Sequence, residues 1–98
     1  MKTIYKYPLN NTYIKGPITK FLSVQSQRWT PCLWAEIDTN LPNKNYLVSI
    51  TGTGLNIPKD GIYIGTIQTE SYVFHYYLIE VYLTEEIKKE DSKWLIIP

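Results

Sequence analysis

The residues able to do chemistry are few: one histidine, one cysteine and nine scattered carboxylates. His75 lies in Val73-Phe-His-Tyr-Tyr77, where period-two alternation sets it opposite Phe74 and Tyr76. As a general base it needs a carboxylate or nucleophile within hydrogen-bond reach. Glu36, Asp38 and Glu80 are the partners a small hydrolase would enlist, and nothing in the spacing selects among them. One His and one Cys without paired spacing fall short of three protein ligands, so neither a metal nor a cofactor is expected. Cys32 sits mid-strand with no second thiol, which fits a buried, inert group. Gly52-Thr-Gly54 reads two ways. Glycines let backbone N–H groups converge on an anion, with Thr53 adding a hydroxyl; a β-bulge or tight corner explains the same residues structurally. The lysine and following helix of a Walker phosphate loop are missing.

Trp34 shares a strand face with Cys32 and Glu36, opposite Leu33, Ala35 and Ile37. With the Leu33 face in the core, Trp34 points outward near Gln25 and Gln27, making a stacking platform with amides for a planar base. With both faces buried, Trp34 is core. The candidate ligand set is therefore Trp34 to stack, Gln25 and Gln27 to read an edge, and Thr53 with its backbone neighbours to meet phosphate. His75 donates a hydrogen bond, and Gly52 and Gly54 shape the wall.

Strands must position these groups. Thr3 to Tyr7 alternates and is stopped by Pro8 and Asn10-Asn11; Tyr13-Ile14 is a short edge segment. Lys20 to Gln27 and Pro31 to Asp38 alternate across an Arg28-Trp29-Thr30 turn. Thr39 to Asn45 is a loop, Asn45 to Thr51 a strand, and Pro58-Lys-Asp-Gly61 a turn with Pro at its second position. Ile62 to Gln68 and Tyr72 to Leu83 pair as a hairpin across Thr69-Glu-Ser71. Thr84 to Glu90 alone reads as helix, with glutamates first and lysines last, and Trp94 to Pro98 returns to strand character. Turn signals every eight to twelve residues or so predict an all-β antiparallel sandwich or partly open barrel with at most one short C-terminal helix. The expected core is Leu22, Val24, Leu33, Ala35, Ile37, Val48, Ile50, Ile64 and Phe74.

Ninety-eight residues make one domain, residues 1–98, able to bury about two-thirds of its unfolded surface. No disulfide framework is possible with one cysteine, and no apolar run suits a leader or membrane span, so the expectation is cytoplasmic. A net charge of +1 is not the footprint of a protein that lives on extended nucleic acid. Nine Tyr and three Trp suit strands first and interfaces second. That surplus, with an apolar end needing cover, points to a homo-oligomer.

Several blocks look familiar together: Ile4-Tyr-Lys-Tyr-Pro-Leu9, Leu22-Ser-Val-Gln25, Pro31-Cys-Leu-Trp-Ala35 with Asp38, Gly52-Thr-Gly54 with Ile57-Pro58, Tyr63-Ile-Gly-Thr66 with Gln68, and Val73-Phe-His75. In order and spacing they resemble a family of small, largely phage-encoded proteins known as a domain of unknown function. The match runs to about Glu80; Val81 to Pro98 goes beyond it. The resemblance implies a compact β-domain of phage or prophage origin, acting in the host bacterial cytoplasm, and carries no reaction with it. The reading that follows is a non-enzymatic module that captures a small nucleotide-like ligand, such as a cyclic nucleotide of host defence. A protein-contact inhibitor or structural phage component using an aromatic sheet face is the alternative, and the His75 hydrolase is the third.

Overall fold

Where Tyr, Ile, Val and Thr alternate, the chain forms strands, because these side chains pack well on a pleated surface. The computed structural model describes residues 1–83 and 96–97. In chain order the strands are β1 (Lys2–Pro8), β2 (Tyr13–Gly16), β3 (Ile18–Gln27), β4 (Thr30–Asp38), β5 (Lys44–Gly52), β6 (Ile62–Gln68), β7 (Val73–Leu83) and β8 (Ile96–Ile97). One sheet runs β1-β4-β3; the other runs β2-β5-β7-β6, with β8 on the end of β7. Every pairing is antiparallel. The sheets pack face to face as a sandwich and do not close into a barrel, and the described residues contain no helix. The helix expected over residues 84–90 lies outside the described residues, as does most of the segment from Trp94; Ile96–Ile97 is strand.

The interior follows the alternation. Leu33, Ala35 and Leu78 are fully enclosed, and Val24, Ile37, Tyr46, Ile64 and Tyr76 join them. Val48 and Phe74 are half-buried against this core. Two expected core residues are not in it. Leu22 is 43% exposed, because β3 slips register between Phe21 and Ser23. Phe21 and Val24 then face inward opposite Ala35 and Leu33, and Leu22 is the extra residue of the bulge. Ile50 shares an inward face with Tyr46 and Val48 but is 51% exposed; on that face burial declines along β5 from Tyr46 through Val48 to Ile50.

One connection matters for the site. β5 and β6 flank β7 and both run antiparallel to it, so residues 53–61 must cross β7. They cross on the outer face. Tyr76 and Leu78 point into the core, so His75 and Tyr77 point out, and the crossing touches both. At Gly61 a Cβ would stand 3.1 Å from Tyr77 Cδ2 and 2.7 Å from Pro58 Cγ, so glycine lets the crossing lie flat on the sheet. The Pro58 turn differs from expectation by one position. Gly61 N–H donates to Pro58 O, which makes proline the first residue, and Asp60 takes positive φ at the third.

Candidate functional site

The crossing begins with Gly52-Thr-Gly54, and its geometry settles which structural role the glycines play. Leu55 N–H donates to Gly52 O at 3.1 Å, and Gly54 has φ of 89°. This is a tight corner with glycine at the position that requires positive φ, as in a type II turn. The corner presents Thr53 to His75, with Thr53 Oγ1 2.9 Å from His75 Nε2. His75 Nδ1 is in turn 2.9 Å from Thr66 Oγ1 on β6, and Thr66 meets the Tyr63 hydroxyl. Both imidazole nitrogens are thus satisfied by threonine hydroxyls. The chain Thr53–His75–Thr66–Tyr63 pins the crossing, β7 and β6 together, and no carboxylate takes part. Thr51, opposite His75 in the ladder, is buried.

The remaining candidates lie elsewhere. Gln25, Gln27 and Trp34 are on the outer face of the three-stranded sheet, opposite Cys32, Thr30 and Ser23 respectively in the β3–β4 ladder. The Leu33 face is core and Trp34 is half-buried on the outside, as one of its two readings held. Lys6 Nζ donates to Gln27 Oε1 at 2.6 Å across this face, while Gln25 donates to Ser23. Cys32 is buried here, its thiol 3.5 Å from Thr30 O. The seven candidates therefore form two groups on opposite outer faces of the sandwich: Trp34, Gln25 and Gln27 on one, Thr53, His75, Gly52 and Gly54 on the other. The protein's hydrophobic core lies between them, and no small ligand touches both.

The concave surfaces are at the ends and edges instead. One cleft, about 710 Å³, opens between the edge strands β1 and β2 under the β4–β5 loop. Tyr5 and Tyr7 stand in it with ring centroids 4.8 Å apart, bordered by Lys6, Lys15, Leu41 and Asn43. No carboxylate lines it. Burial pushes the Tyr7 phenol above its ordinary pKa, and neighbouring Tyr5 adds to the shift. Lys15 makes no hydrogen bond or ion pair among the described residues. The second cleft, about 630 Å³, lies between the β3–β4 and β6–β7 hairpin tips. Trp29, Tyr72, Phe74, Pro31 and Ile67 line it, together with Glu70. Tyr72 and Phe74 rings sit 4.5 Å apart.

Neither cleft is spelled out by alternation. Tyr5 and Tyr7 read as ordinary strand residues, and Trp29 as part of a turn. The second cleft did leave one signal in the sequence: an Arg-Trp pair where a two-residue hairpin turn prefers Asn-Gly. Among the described residues, no group of three or more His, Cys, Asp or Glu is placed to hold a metal ion.

No curated protein and no solved structure matches the chain. A family described as a domain of unknown function (DUF7352) matches residues 1–88, reaching past Glu80 into the C-terminal segment. With nine-tenths or so of its length inside that match, the chain belongs to the DUF7352 family.

Proposed function

We propose that this domain is a non-catalytic binding module that captures a small, anionic, nucleotide-like ligand in the cleft between β1 and β2. The observation that carries the reading is the lining: two tyrosine rings with Lys15 beside them, and no carboxylate. A base stacks on an exposed aromatic face such as Tyr5, contributing roughly 1–3 kcal/mol. A phosphate prefers a wall whose fixed charges are cationic, and Lys15 is the ammonium without a partner among the described residues. The cleft volume falls within the ~300–1,000 Å³ usual for small-ligand sites. Cyclic nucleotides of host defence are ligands of this chemistry, and the phage-type resemblance supports an anti-defence sponge working in the host bacterial cytoplasm.

A protein-contact role, as inhibitor or structural phage component, is the second reading. It is favoured by the outer face around Trp34, which no strand covers among the described residues, and by the edges of β1 and β2, which pair with no further strand among them. The hydrolase reading loses support from the His75 geometry, since both ring nitrogens face threonines.

Incubation with a panel of cyclic and linear nucleotides, followed by heat release, separates the three. Intact ligand recovered from the parent protein, with affinity lowered about tenfold or more by Tyr5→Ala and by Lys15→Ala, supports capture. Chemically altered nucleotide indicates an enzyme. Affinity unchanged in both variants removes the ligand from this cleft.

A further inference from the structure

The β3–β4 hairpin turns on Arg28 and Trp29, whose φ values are 49° and 71°. Both therefore adopt the left-handed region that a two-residue turn demands and that Asn or Gly fill most readily. For a bulky residue this conformation is a genuine outlier. The strained side chain does not bury itself in exchange: Trp29 is 98% exposed. Local stability favours neither its backbone conformation nor its exposure. Such conflicts concentrate where a side chain serves recognition.

The neighbouring tip supplies the complement. Thr69 ties off the β6–β7 loop, accepting from the Ser71 and Tyr72 N–H groups. This holds Tyr72, 52% exposed, against Phe74 on the wall of the second cleft, with Glu70 beside it. One continuous patch then carries an aromatic projection with a cation, Trp29 and Arg28, and an aromatic hollow with an anion, Tyr72–Phe74 and Glu70. Neither charge has a salt-bridge partner among the described residues. A surface bearing both halves of a contact satisfies both at once when two copies meet about a two-fold axis. Exposed Trp, Tyr and Arg are also the residue types that anchor interfaces.

We propose that these two hairpin tips form a homodimer interface, Trp29 of each copy seated in the other's Tyr72–Phe74 cleft and Arg28 facing the second copy's Glu70. The occupant is a second copy of this chain, because the patch carries both an exposed aromatic anchor and an aromatic cleft, and is complementary to itself in charge sign. It lies apart from the β1–β2 cleft, so ligand capture and pairing fail independently.

Sedimentation equilibrium of the full chain, with Trp29→Ala, Arg28→Glu, Glu70→Arg and the double charge swap, tests it. The expected result is a dimer whose dissociation constant rises at least about tenfold in Trp29→Ala, with an unchanged circular dichroism spectrum. Each single reversal weakens pairing by placing like charges together, and the double swap restores it. A parent monomeric up to about 100 μM overturns the proposal. A dimer that survives Trp29→Ala does so too, as does a double swap no tighter than its single variants, even where Trp29 proves to bind some other molecule.

Discussion

The two outer faces of the sandwich differ more than their strand composition suggests. The five-stranded sheet carries the 53–61 crossing over β7, where His75 is held at both nitrogens and Thr51 is buried. The three-stranded sheet carries no crossing among the described residues. Its polar groups meet only one another, as Lys6 and Gln27 do, in the open. The Thr66–His75 contact is part-buried, so a partner left behind there stays partly desolvated. Contacts in the open are replaced by water. The same kinds of residue therefore act as a fastener on one side and as ordinary surface on the other.

Three measurements break or sharpen this contrast. His75→Ala removes two hydrogen bonds and loosens the crossing, and should cost about 1–3 kcal/mol in urea unfolding. A cost near zero would show that the crossing does not depend on its fastener. Alkaline unfolding comes next, because it probes the interior that both faces share. Burial raises the pKa of Tyr7 in one sheet and of Tyr46 and Tyr76 in the other above the ordinary 10.0. Above that value the unfolded chain gives up phenolic protons that the folded one retains. Stability is therefore full below about pH 10 and falls as pH climbs toward the folded-state values. A melting temperature flat through that range would contradict the burial of these rings. Lys6→Ala should change stability least, within about 0.5 kcal/mol, as exposed substitutions do. If it costs as much as His75→Ala, the distinction between covered and open faces is wrong.

Alternation carried most of the fold. The strand from Pro31 to Asp38, its Leu33–Ala35–Ile37 inner face and the β6–β7 hairpin are legible because period two is a local property of the residues. The β3 bulge is not, since slipping register at Leu22 is a matter of backbone pairing with β4 and leaves no mark in side-chain types. The candidate site residues are divided between two faces for a related reason. Alternation tells which way Trp34 and His75 point relative to their own strands, and it does not tell which sheet each strand joins. Placing β4 and β7 in different sheets sends two outward-facing residues to opposite sides of the molecule. The Thr53–His75 contact depends on the same topology, since it is the β5–β7 pairing that brings Gly-Thr-Gly at the end of one strand to His75 on the other.

The crossing also sets an order of events in time. β7 lies between β5 and β6 in the larger sheet, yet it follows both of them in the chain. While the protein is being synthesised, β5 and β6 leave the ribosome first and have no edge to share, since each needs β7 between them. Hydrogen-bonding groups on both strands stay open to other chains until residues 73–83 emerge. Assembly is then dominated by pairings distant in sequence, which belong to the slow end of folding rates. Dependence on a late-emerging strand makes a nascent chain stalled before Val73 the form of this protein most exposed to aggregation.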